Sequence, residues 1–202
     1  MITKNRLAPN FAGRKSEQGF TLIEVLISVV VLAVGMVSLL AVFGLAVSTT
    51  QTAQDDMIAK QEAAEAMESI FTARNTSQIQ WSQILNVADG GIFLNGFQPI
   101  KYQGNDGLDG TADDTADPDP RCGGPSQCIK MPGPDGVLGT SDDIYLPLNN
   151  FQRQIAITPL NDQNGNQYSV LRQITITIRY TTSQNLKVQK NYTMSAYISQ
   201  YR

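Results

Sequence analysis

The chain has 202 residues, with 15 Lys and Arg, 18 Asp and Glu, no His and a formal net charge of −3. An apolar share of 42% supports a packed core and excludes wholesale disorder, and the length fits one domain or one domain with an appendage. Without His the commonest general base and the usual zinc ligand are gone; two Cys cannot build a four-Cys zinc site, and no basic run suits a nucleic acid, so no nucleic-acid partner is expected.

Charge is spread unevenly. Between Phe20 and Val47, 28 residues carry one charge, Glu24. A run of this length spans a bilayer as a helix, since roughly 20 residues suffice. Lys4, Arg6, Arg14 and Lys15 precede it, while Gln51, Asp55 and Asp56 follow. The positive-inside rule then puts residues 1–19 in the cytoplasm and residues 50–202 across the membrane. An ordinary secretory signal is shorter and ends in a small-residue cleavage site, so the plain alternative is a simple N-terminal anchor. Glu24 does not suit that alternative, because a carboxylate in an apolar span is costly and usually functional.

The residues around Glu24 read Gly19-Phe20-Thr21-Leu22-Ile23-Glu24. This resembles the prepilin signature of type IV pilins and type II secretion pseudopilins, GFTLIE, behind a short basic leader. The resemblance implies cleavage after Gly19 by a membrane-embedded prepilin peptidase and methylation of the new amino terminus at Phe20. It implies that Glu24 pairs with the free N-terminus of a neighbouring subunit during assembly. A buried carboxylate and a buried ammonium offset one another when paired, so Glu24 acts as a registry device and not as a catalyst. The leader is long, at 19 residues, and contains Glu17. Its removal takes away Lys4, Arg6, Arg14, Lys15 and Glu17, leaving 11 basic and 17 acidic residues, a net −6.

Residues 20–47 contain no Pro, with Gly35 and Gly44 the weak helix formers. Beyond them, Met57, Gln61, Ala64, Met67 and Phe71 recur at helical spacing and predict a core-facing seam, with Lys60, Glu62, Glu65 and Glu68 mostly on the other faces. One helix is thus expected from about residue 20 to about residue 74, roughly 80 Å long at 1.5 Å per residue. Such a long stem is also the pilin architecture. The stretch from Ala33 to Asn75 is most similar to PilV-type minor pilins and to the secretion pseudopilins of the same branch.

Residues 76–104 read as loops or a short helix around Trp81, Ile84 and Leu85, followed by a turn at Gly90-Gly91, with Trp81 as a core plug. Two stretches then fit D-G-x-x-G-T-x-D-D: residues 106–114 and 135–143, offset by 29. Gly permits sharp turns, and Asp carboxylates with backbone carbonyls are the hard ligands that Ca²⁺ takes. The pattern resembles the calcium-binding loop of the major secretion pseudopilins and is not an EF-hand. The candidate calcium ligands are Asp106, Asp109, Asp113 and Asp114, then Asp135, Asp142 and Asp143. The other reading is a pair of solvated acidic turns. Between the repeats, Cys122 and Cys128 are six apart, which across the membrane suits a disulfide. A two-Cys metal site is the rival, and no His completes it.

Gln152–Thr158, Ser169–Tyr180 and Leu186–Ile198 alternate with period two and predict half-buried strands. Residues 162–166 and 182–185 are turn signals between them, giving an antiparallel meander over the helix. The expected fold is α+β: leader 1–19, transmembrane and assembly helix 20–48, its continuation 49–75, and a head from 76 to 202. The head holds the Asp/Gly region 104–146 and the meander 151–199.

No phosphate loop, nucleophile elbow or triad occurs, so no enzymatic activity is expected. The resemblance implies a minor pilin, a structural subunit of a type IV pilus. Its implied partners are other pilin subunits, the prepilin peptidase, the inner-membrane assembly platform and the membrane, crossed once. It would sit in the inner membrane with a periplasmic head and then in the pilus at the cell surface. The alternatives are a minor pseudopilin of a type II secretion system, or an anchored calcium-dependent adhesin-like module that does not polymerise.

Overall fold

A computed structural model describes residues 19–182 and 188–201. Helix α1 spans Leu22–Asn75. Thr21 caps it: its hydroxyl accepts from the Glu24 N–H at 3.3 Å, satisfying a donor that the first turn leaves open. The cap and Glu24 form a T-x-x-E start, with the carboxylate at the positive end of the helix dipole. The helix extends to within a residue or two of both sequence-based limits, because no Pro interrupts it.

The chain divides into two compact units between Ala46 and Val47. In the first, every described apolar side chain of α1 is exposed, and the helix is long and apolar enough to cross a membrane. Its hydroxyls turn inward: Ser28 donates to the Glu24 carbonyl at 2.7 Å and Ser38 to the Val34 carbonyl at 2.9 Å. Back-bonding of this kind satisfies these two hydroxyls within the helix itself.

The second unit holds the whole hydrophobic core, from Ile58 to Ile198. Its main sheet has the order β1-β4-β5-β6, from β1 (Gln98–Pro99), β4 (Phe151–Asn161), β5 (Gln167–Thr181) and β6 (Gln189–Ser199), all neighbours antiparallel. A second sheet pairs β2 (Cys128–Met131) with β3 (Ile144–Pro147). The expected meander is present as β4-β5-β6; the turn expected at 182–185 and the residue Leu186 lie outside the described residues, save Thr182. Strand alternation works as the pattern demands. Ile155 and Ile157 of β4 pair with Ile176 and Ile174 of β5, and all four are buried. Thr175 and Thr177 turn to the other face, where their hydroxyls meet Ser195 and Thr193. Helix and antiparallel sheet give the α+β, pilin-like layout.

The helix seam corrects the sequence reading. Met57, Gln61 and Ala64 are exposed. The buried residues are Ile58, Ala59, Glu62, Ala63, Ala66, Met67, Ile70 and Ala73. Of the expected stripe only Met67 is buried, and Phe71 packs at its margin. The face one residue along carries four buried alanines, Ala59, Ala63, Ala66 and Ala73, with Ile58 and Ile70. Glu62 does not veto it, because Arg153 meets it from β4.

Trp81 is half-buried against the core, with its indole N–H donating to the Ser169 carbonyl at 2.8 Å. The Arg172 guanidinium lies 4.2 Å from the ring centre. Buried Asn86 imitates a strand neighbour: its amide donates to the Ile155 carbonyl and its carbonyl accepts from the Ile157 N–H, both at 2.8 Å. Loop and sheet are thus joined by two buried bonds.

Candidate functional site

Two regions carry candidate functional residues, one in each unit. In the first, Gly19 and Phe20 are exposed and precede the helix, so the two residues that flank the expected cleavage site are open. Glu24 follows one turn inside α1, exposed among exposed Leu22, Ile23, Val25 and Leu26. One carboxylate on a surface otherwise apolar is what an intermolecular ammonium would need to find.

The second region is the pair of Asp/Gly loops, residues 104–114 and 133–143. They fold alike, and four hydrogen bonds recur in both. The Leu108 N–H donates to Asp106 Oδ1 and the Val137 N–H to Asp135 Oδ1, both at 2.8 Å. The Asp106 N–H donates to Asp113 Oδ2 and the Asp135 N–H to Asp142 Oδ2, both at 3.2 Å. The Gly110 N–H reaches Asp114 at 2.8 Å, and the Gly139 N–H reaches Asp143 at 2.7 Å. The Thr111 and Thr140 hydroxyls donate to Asp113 and Asp142 at 2.7 and 2.5 Å. These hydroxyls hold the Asp113 and Asp142 carboxyls below the usual carboxylate range.

The motif thereby explains itself. Gly107 and Gly110, like Gly136 and Gly139, have φ between 64° and 95°, which side-chain-bearing residues rarely adopt. The repeat also reaches further back than D-G-x-x-G-T-x-D-D. A Cβ at Gly104 would overlap Asp113, and one at Gly133 would overlap Asp142. Each loop is a closed turn whose carboxylates accept from its own backbone.

The loops differ in surroundings. In the first, Leu108 and Asp109 are each 1% exposed. Arg153 donates to Asp109 Oδ1 at 2.5 Å, and Gln103 to Oδ2 at 2.8 Å. Asp109 is therefore engaged by protein donors. Burial pushes the Asp114 carboxyl up. In the second loop, Val137 and Leu138 stand where Leu108 and Asp109 do, and Leu138 is 59% exposed.

As candidate calcium sites, the loops offer hard oxygen donors. Asp143 Oδ1 is enclosed with no hydrogen-bond partner, whereas Asp114 Oδ1 in the first loop accepts from Thr111 at 3.3 Å. Among the described residues, neither loop gathers three carboxylates within 4.8 Å of one another. The group that meets this spacing is Asp117 with Cys122 and Cys128. Those two cysteines form a disulfide, with Cα atoms 5.7 Å apart, so both sulfurs are committed and the pairing expected from their spacing is present. Asp117 accepts from the Cys128 N–H and pairs with Lys130 at 3.7 Å, tying the disulfide loop to β2.

Sequence reasoning missed two things here: the buried Glu62–Arg153–Asp109 cluster and the docking of one loop but not the other. The single signal for the second was Asp109 facing Leu138 across the repeat.

Comparison with known families adds one match. A family described as the prokaryotic N-terminal methylation motif matches residues 14–40, covering Arg14 and Lys15, Gly19 and Phe20, Glu24 and the first half of the apolar helix. The motif supports a pilin or pseudopilin in general terms: a structural protein processed by a prepilin peptidase and assembled with other pilins. No curated protein and no solved structure matches the chain.

Proposed function

We propose that this chain is a minor pilin: a structural subunit of a type IV pilus, cut after Gly19, methylated at Phe20 and assembled through α1. The observation that carries the reading is Glu24, one carboxylate in the first turn of an exposed apolar helix that Thr21 caps. Buried in a filament, that carboxylate needs an ammonium partner, and the terminus released at Phe20 of a neighbour supplies one. The subunit would cross the inner membrane once, present its head to the periplasm and pass by way of the assembly platform into the pilus.

The test is Glu24→Ala in cells that assemble the filament. The reading expects normal processing and membrane insertion with loss of the chain from sheared filaments. Incorporation at wild-type level would refute it and favour an anchored module that does not polymerise. The likeness of the Asp/Gly loops to those of major secretion pseudopilins favours a second reading, a minor pseudopilin of a type II secretion system. Deletion separates the two, through lost piliation or lost secretion.

We further propose that the second loop takes Ca²⁺ through Asp135, Asp142 and Asp143, with the unpartnered Asp143 Oδ1 as the oxygen that supports this. The ion would add charge neutralisation to a loop whose neighbouring cation, Arg121, donates to the Thr140 carbonyl at 3.4 Å.

A further inference from the structure

Three charged side chains are buried together where α1, the first Asp/Gly loop and β4 meet. Glu62 is 4% exposed, Arg153 4% and Asp109 1%. Their pairing is lopsided. Arg153 Nη2 bonds Asp109 Oδ1 at 2.5 Å, and Gln103 satisfies the other Asp109 oxygen. Glu62 Oε2 stands 3.9 Å from Arg153 Nη1, and neither atom has a hydrogen-bond partner.

The other charged groups near Glu62 are acidic. Glu65 lies one turn along α1, Asp109 faces it from the loop, and Asp114 of that loop shares the field of Arg153 and Asp109. One guanidinium cannot compensate two buried carboxylates and their acidic neighbours at once, so one carboxyl must hold a proton. Asp109 accepts from two donors, Arg153 and Gln103. Glu62 accepts from none.

We propose that Glu62 is a proton-operated latch that holds the first Asp/Gly loop against α1. Protonated, it leaves Arg153 and Asp109 as a closed, neutral pair. Ionised, it puts into the seam a second carboxylate that Arg153, already bonded to Asp109, compensates only in part, and loosens the loop. Burial pushes the Glu62 carboxyl up to about 7, which sets the latch near neutral pH. The second loop has the same backbone-to-carboxylate bonds, carries Leu138 in place of Asp109 and has no such cluster among the described residues, so it provides a reference within the same molecule. The inference concerns the head alone and goes beyond the filament reading.

The test is hydrogen–deuterium exchange on the full chain in detergent micelles, at pH 5.5 and pH 8, corrected for the intrinsic exchange rate. Peptides covering residues 104–114 should open on the order of tenfold more at pH 8, following a folded value near 7 and an ordinary value of 4.5. Peptides covering residues 133–143 should not respond. Glu62→Gln should keep the first loop protected at both pH values, which separates Glu62 from Glu65 and Asp114. Equal pH response in the two loops would overturn the proposal, as would a Glu62→Gln protein that responds like the wild type. Should Glu62→Gln fail to fold, the comparison of the two loops in the wild type decides by itself.

Discussion

Arg153 is the residue whose loss the head should tolerate least. It is the cation that two buried carboxyls share, with Nη2 at 2.5 Å from Asp109 and Nη1 at 3.9 Å from Glu62. Arg153→Met keeps most of the side chain's volume and removes the charge. Asp109, 1% exposed, is then left with Gln103 as its remaining side-chain donor. Breaking a buried pair from one side costs about 3–5 kcal/mol, because the stranded charge has lost its solvation. Glu62 adds little to this at pH 6, where it already carries its proton. The second loop suggests the repair: Leu138 occupies the position equivalent to Asp109. Arg153→Met combined with Asp109→Leu should therefore recover most of the loss, since a buried ion pair is often replaced by apolar groups without penalty. Urea unfolding of the head, residues 47–202, at pH 6 gives the comparison, with an unchanged slope required for the midpoints to be read as stability. A loss below about 1 kcal/mol for Arg153→Met would refute the reasoning, as would a double variant as unstable as the single one.

Four further outcomes follow from the same structure. Glu62 binds its proton more tightly folded than unfolded, so head stability should fall as pH rises from 4.5 to about 7 and level off above; at 1.36 kcal/mol per pH unit the drop is at most about 3 kcal/mol, and Glu62→Gln should abolish it in melts across that range. Replacing Cys122 and Cys128 by Ala should cost about 2–3 kcal/mol in denaturant unfolding, from the loop the disulfide closes; no loss would mean that Asp117 and Lys130 hold the segment by themselves. Gly104→Ala should destabilise the docked first loop by about 1–3 kcal/mol, since its Cβ would overlap Asp113, while Gly133→Ala should disturb the exposed second loop and leave the melt nearly unchanged. Calorimetric titration of the head with Ca²⁺ should show binding that Asp143→Asn abolishes and Asp109→Asn leaves intact; no heat, and no loss of melting temperature with chelator, would leave the loops as plain turns.

Much of the fold was legible because the residues that set it act locally. The apolar run, the absence of Pro and the Thr21-to-Glu24 start specify α1, and Ile174-Thr-Ile-Thr-Ile178 specifies β5 by alternation alone. The loop motif was legible because repetition tests it: Asp106, Asp113 and Asp114 recur as Asp135, Asp142 and Asp143, each accepting from the equivalent backbone N–H. What the sequence hid depends on partners distant in the chain. Glu62 reads as solvent-facing until Arg153 arrives from β4, 91 positions on, and the buried face then includes Ile58 and Glu62 in place of Met57 and Gln61. The second sheet, β2 with β3, consists of two four-residue strands whose pairing is set by the loop between them. The docking of the first loop rests on Asp109 and Arg153 together, and neither residue announces it alone.

The most direct test of the filament account is the mature N-terminus. The full chain is co-expressed with a prepilin peptidase, and intact mass and N-terminal sequence are measured. The account predicts a chain beginning at N-methylated Phe20. A chain still beginning at Met1, in cells that process a known prepilin, would contradict it and leave α1 as a simple membrane anchor.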